Sequence, residues 1–98
     1  MEINKIKEGT KLCVALDGRL DTTSAPALEE TLKTELEGVT EFVLDLEKLA
    51  YISSAGLRVI LYAQKTMNKQ GSMKIVNAGE DILDIFEITG FSDILTIE

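Results

Sequence analysis

Between Phe42 and Val76 the chain passes from an apolar, strand-like run at Phe42-Val43-Leu44 into a helical pattern over Ser54 to about Lys69. It then returns to a strand-like run at Met73-Lys74-Ile75-Val76, after a helix break at Gly71. Strand, helix and strand in that order predict two parallel strands joined by a right-handed crossover, because a parallel return needs a connection long enough to hold a helix. At about 100° per residue, Gly56, Val59, Ile60, Ala63 and Met67 form the inner face of that helix, while Arg58, Tyr62, Lys65 and Lys69 point the other way. Leu57 and Leu61 lie between the two faces. They either pack under a neighbouring helix or form the apolar rim of a partner contact.

The flanking segments extend this unit. Residues 2–7 and 11–20 read as strands joined by a tight turn at Glu8-Gly9-Thr10. Leu12, Val14 and Leu16 share one face of the second run and Cys13 and Ala15 the other, so both faces are expected to be covered, as in a central strand. A helix is predicted from Thr23 or Ser24 to about Glu37, with Pro26 in the first turn, Ala25, Leu28, Leu32 and Leu36 at helical spacing, and Gly38 as its end. Glu29, Glu30, Lys33 and Glu35 form its solvated face. Asp81 to Thr89 reads as a last helix, with Gly90 as a left-handed cap, Phe91 folding back, and Ile94-Leu95-Thr96-Ile97 as a closing strand. The expected fold class is α/β: one domain over residues 1–98, a mixed sheet with packed helices, whose strand order the sequence does not reveal.

Composition narrows the chemistry. Seventeen acidic against ten basic residues give a net charge of −7, a field that repels nucleic acid and anionic lipid, so no direct nucleic-acid binding is expected. With no histidine the chain lacks the commonest general base and the commonest metal ligand. Its carboxylates are scattered, and a G-x-x-x-x-G-K-[ST] phosphate loop is missing, so the expectation is a binding protein with no metal, no cofactor and no enzymatic activity. Cys13 is the only cysteine, which excludes an intrachain disulfide and suggests a small buried thiol. No apolar run approaches the roughly 20 residues of a membrane span, and Met1-Glu2-Ile3-Asn4-Lys5 does not resemble a signal peptide. The expected location is the cytoplasm.

Ser53 and Ser54 open the central helix, and local physics gives them two readings. Serine is among the best N-cap residues. A serine hydroxyl there is also a good place for a phosphate, because first-turn amides lack intrahelical partners and the helix dipole contributes roughly half a positive charge.

The segment L-E-K-L-A-Y-I-S-S-A-G-L-R-V-I-L, running to Leu61, resembles the signature of the STAS superfamily, in particular the bacterial anti-sigma factor antagonists. Their pattern is an apolar strand, an L-x-x-L-x-[FY]-[IM] turn, then D-S-[ST]-G-L and an apolar helix. In this resemblance the phosphoacceptor serine falls on Ser54, the glycine on Gly56 and the leucine on Leu57, while Ser53 replaces the aspartate and Ala55 the second hydroxyl. Gly18-Arg19-Leu20-Asp21, followed by Thr22-Thr23-Ser24-Ala25, is similar to the family's G-x-[LI]-D motif, and Phe86 to Phe91 to its F-x-x-x-G-[LF] ending. The resemblance implies a STAS fold and a regulator that binds, when unphosphorylated, an anti-sigma factor with GHKL-type serine kinase activity. Phosphorylation of Ser54 would release it and a serine phosphatase would reset it. The partner contact would comprise Asp21, Thr22, Thr23, Ser24, Ser53, Ser54, Ala55, Gly56, Leu57, Arg58 and Leu61. The same superfamily admits a second role, a structural subunit of a lipid-transport ABC complex that docks through the same helix N-terminus without a phosphorylation cycle.

Overall fold

Gly9, at φ 60°, turns the chain between strands β1 (Glu2–Glu8) and β2 (Lys11–Leu20), which pair antiparallel. In the computed structural model, which describes residues 1–98, helix α1 (Ala25–Glu35), strand β3 (Glu41–Ile52), helix α2 (Ser54–Asn68), strand β4 (Ser72–Val76) and helix α3 (Glu80–Ile88) follow. The sheet order is β1-β2-β3-β4, and both β2–β3 and β3–β4 are parallel. The chain therefore steps across the sheet in one direction. Two crossovers of the usual hand, stepping the same way, put α1 and α2 side by side on one face.

That face holds the core. Leu12, Val14 and Leu16 of β2 and Phe42, Leu44 and Leu46 of β3 form one buried cluster with Leu28 and Leu32 of α1, Ile60, Ala63 and Met67 of α2, and Phe86 of α3. The expectation that both faces of β2 are covered is corrected here. Cys13 and Ala15 are only half-buried and Ile6 beside them is 65% exposed, because no helix crosses to that side. The Cys13 thiol is accordingly half-buried rather than enclosed.

β3 runs further than the sequence suggests. The segment expected as a turn, Leu46 to Ile52, stays in the strand and pairs with β2 as far as Leu20↔Ile52. The pairing slips twice: Ala15 faces Asp45 but Asp17 faces Lys48, and Gly18 faces Leu49 but Arg19 faces Tyr51. Each slip is a bulge that inserts one residue in β3, so the inward positions after Leu46 become Leu49 and Ile52.

The C-terminal strand expected over Ile94–Ile97 is also corrected. Residues Phe91–Asp93 form a 3-10 turn, Leu95 drops into the core, and only Ile97 bridges to Ile75 of β4. Ile75 N–H donates to Thr96 O and Glu98 N–H to Ile75 O, each at 2.8 Å, and that is all the pairing this segment reaches. Gly90 takes the left-handed conformation expected of it, φ 81°. Gly71 does more than end α2: a side chain there would run into the Thr40 carbonyl, to which the next amide, Ser72 N–H, donates at 2.9 Å.

Candidate functional site

β2 and β3 end side by side, and the turns that follow them lead into α1 and α2. One backbone hydrogen bond, Ser53 N–H to Leu20 O at 2.9 Å, ties these turns together. The residues expected to meet a partner from sequence positions 21–24 and 53–58 therefore lie at one end of the parallel strands. That is where loops of parallel α/β sheets usually form sites.

The two serines divide the work between them. Ser53 is the N-cap of α2, with extended backbone (φ −98°, ψ 174°), and its hydroxyl accepts Gly56 N–H at 3.3 Å. Its carbonyl accepts the first intrahelical bond, from Leu57 N–H at 2.9 Å, so the Ser54 and Ala55 amides have no acceptor within the helix. Ser53 is half-buried. Ser54 is the first helical residue, is exposed, and its hydroxyl enters no hydrogen bond of the structure. Capping belongs to one hydroxyl and the free position to the other.

Gly56 is buried against the strand ends. A Cβ built on it would lie 2.7 Å from Leu20 Cγ and 3.0 Å from both Leu20 Cδ2 and Ile52 Cγ1, so only hydrogen fits between α2 and the sheet. Leu57 settles into the core cluster, where its side chain is closed to a partner, so the packing alternative holds for it. Leu61 stays half-buried at the surface, and Arg58 is exposed.

The 21–24 turn is held by Asp21. Its carboxylate accepts Thr23 N–H at 3.0 Å and Ser24 N–H at 3.1 Å, and the Ser24 hydroxyl lies 3.2 Å from it. Donation from the Ser24 amide, opposed by some desolvation and reinforced by the Ser24 hydroxyl, the Thr23 amide and the Arg19 charge, holds its pKa below the usual carboxylate range. Ser24 in turn accepts Asp21 N–H at 2.9 Å and reaches Arg19 O at 2.7 Å. Thr22 and Thr23 remain exposed. Thr22, Pro26 and Glu29 form one wall of a shallow cleft between α1 and α2, with Ala55, Arg58 and Val59 opposite.

One contact at this end escaped the sequence reading. Arg19 stacks its guanidinium 4.3 Å from the centre of the Tyr51 ring, and its Nε lies 4.0 Å from Asp21 Oδ2. These two positions face each other only because of the second bulge, so although Tyr51 fills the aromatic position of the turn motif, no linear signal pairs it with Arg19.

The chain matches the family model described as the STAS domain over residues 2–98. It is 34% identical over 99 residues to BtrV of Bordetella bronchiseptica, which covers 99% of this chain and 85% of that protein. It is 36% identical over 85 residues to the anti-sigma-B factor antagonist of Bacillus subtilis, covering 86% of this chain and 78% of that one. Among solved structures its fold is similar to the anti-sigma factor antagonist SpoIIAA in its unphosphorylated form, with a TM-score of 0.86 at 16% identity over 99% of this chain and 88% of that chain. The phosphorylated form of Bacillus SpoIIAA superposes with a TM-score of 0.78 at 16% identity, over 99% of this chain and 91% of that chain. No helix of the structure is long and apolar enough to cross a membrane.

Proposed function

The chain belongs to the STAS domain family, and from that premise we propose that it is an anti-sigma factor antagonist acting in the cytoplasm, with Ser54 as its phosphorylation site. In the unmodified state the surface around Thr22, Ser54, Ala55 and Arg58 docks on an anti-sigma factor that is also a GHKL-type serine kinase. The observation that carries this reading is the exposed, unbonded Ser54 hydroxyl beside a separate capping serine. The kinase supplies ATP; Ser54 Oγ bonds to the γ-phosphorus as the bond to ADP breaks, and the hydroxyl proton leaves to the kinase's base.

Phosphorylation places close to two negative charges at a helix N-terminus, where the fold tolerates them, and in the middle of a contact surface, where the partner does not. Losing about 3 kcal/mol at an interface weakens binding more than a hundredfold. Release therefore needs no refolding. A serine phosphatase restores the hydroxyl by hydrolysis. No observation favours the ABC-complex role over this one.

Incubation with the partner kinase and ATP, followed by peptide mapping, should put the phosphate on Ser54; phosphate on Ser53, or none with a verified partner, refutes the assignment. In the same assay Ser54→Asp should weaken partner binding. Ser54→Ala should bind yet resist release by ATP. Equal loss of binding in both variants would make the hydroxyl a contact and not a switch.

A further inference from the structure

Arg58 stands four residues after Ser54 on α2, so the two side chains occupy one helix face with their Cβ atoms about 6 Å apart. Side chains on a helix lean toward its N-terminus, which carries the Arg58 guanidinium back over the turn that contains Ser54. Arg58 also lines the α1–α2 cleft together with Thr22 and Ala55, the neighbours of Ser54 at the helix start.

The charges around Arg58 are otherwise engaged. Glu29, on the opposite wall of the cleft, pairs with Lys33 at 3.8 Å. Asp21 is turned onto its own loop and toward Arg19, and Arg19 stacks on Tyr51. Arg58 belongs to none of the five ion pairs of the structure. An exposed cation with no carboxylate partner thus stands one helical turn from the proposed phosphate.

We propose that Arg58 is a positioning residue that grips the phosphoryl group of Ser54 through a forked, charge-assisted pair. This rests on the Ser54 reading. A guanidinium matches phosphate oxygens bidentately, whereas a lysine meets them as a point charge. Held this way, the phosphate lies along the α1–α2 cleft instead of rotating freely about the serine side chain. The same pairing withdraws the Arg58 charge from the docking surface, so one modification both adds an anion and occupies a cation.

The test installs phosphoserine at position 54 by genetic encoding, without any kinase, and follows its second ionisation by 31P NMR. A phosphoserine ordinarily loses its second proton near pH 6, and a nearby cation favours the dianion and lowers that midpoint. Arg58→Gln should raise the midpoint by about 0.5 pH unit or more, and Arg58→Lys should recover only part of the difference. Superimposable titrations of the parent and Arg58→Gln phosphoproteins would overturn the proposal. Full recovery by lysine would overturn the forked geometry. Because the phosphate is placed by genetic encoding, such failures leave the choice of acceptor to the kinase mapping, which tests it separately.

Discussion

Replacing Gly56 by alanine sets two effects of known sign against each other. An alanine in a helix is favoured over glycine by about 1 kcal/mol. Against this, its methyl group would sit 2.7 Å from Leu20 Cγ, with Leu20 Cδ2 and Ile52 Cγ1 at 3.0 Å. Leu20 is fully buried and Ile52 is 3% exposed, so neither side chain has open space to retreat into. Overpacking of this kind costs about 1–3 kcal/mol, and three close contacts in a closed corner place this case at the upper end. The net expectation is a loss of about 1–2 kcal/mol, or roughly 5–15 °C in melting temperature for a domain of this size. Valine, with two further carbons, should lose more. Thermal melts followed by circular dichroism, paired with urea unfolding, measure both variants. A Gly56→Ala protein as stable as the parent would show that Leu20 yields and that α2 is not seated against the strand ends as described.

Ser53→Ala should destabilise by about 1 kcal/mol through loss of the cap, while Ser54→Ala should stay within about 0.5 kcal/mol of the parent; urea unfolding that ranks them in the opposite order refutes the division of roles. Asp21 has a lowered pKa, so its stabilising bonds are fully present above its ordinary value of 3.8 and are lost as pH falls through the lower native value. Asp21→Asn should therefore be less stable than the parent at neutral pH, with the gap closing below pH 3.8; a gap independent of pH in urea titrations would remove the carboxylate from the account. Gly71→Ala would put a methyl group on the Thr40 carbonyl, 2.6 Å from its carbon atom, and backbone cannot swing aside as a leucine tip can. It should cost more than about 3 kcal/mol, and a melting temperature within a few degrees of the parent refutes the contact.

The helical parts of the fold are legible in the sequence because their apolar spacing is regular. Gly56, Val59, Ile60, Ala63 and Met67 are all buried, as their positions require. The same spacing rule misses Gln64, a buried residue whose Nε2 donates to Asn68 Oδ1 at 2.8 Å. The distal half of β3 is hidden for a geometric reason. Two bulges reset the strand's alternation, and Leu46, Leu49 and Ile52 then recur every third residue, a spacing foreign to an even strand. Coverage of the sheet is likewise invisible, since it depends on the direction in which successive crossovers step and not on any residue in β2. At the site, the motif residues Ser53, Ser54 and Gly56 could be named in advance, but which hydroxyl caps and which stands free is decided by backbone angles at Ser53. The Arg19–Tyr51 stack depends on register across the second bulge and has no linear trace.

A helix that is closed by one serine and merely begins with the next can carry a mark without having to remember it in its shape. Since the Ser54 hydroxyl supports nothing in the fold, marked and unmarked molecules differ in folding free energy only by the helix-end charge term, about 0.3–1 kcal/mol, and by the exposed pair with Arg58, worth about 1 kcal/mol or less. Under the proposed reading the protein behaves as a label and not as a spring. How long it stays in either state is then set by the enzymes that write and erase the mark, and the domain itself contributes no clock of its own.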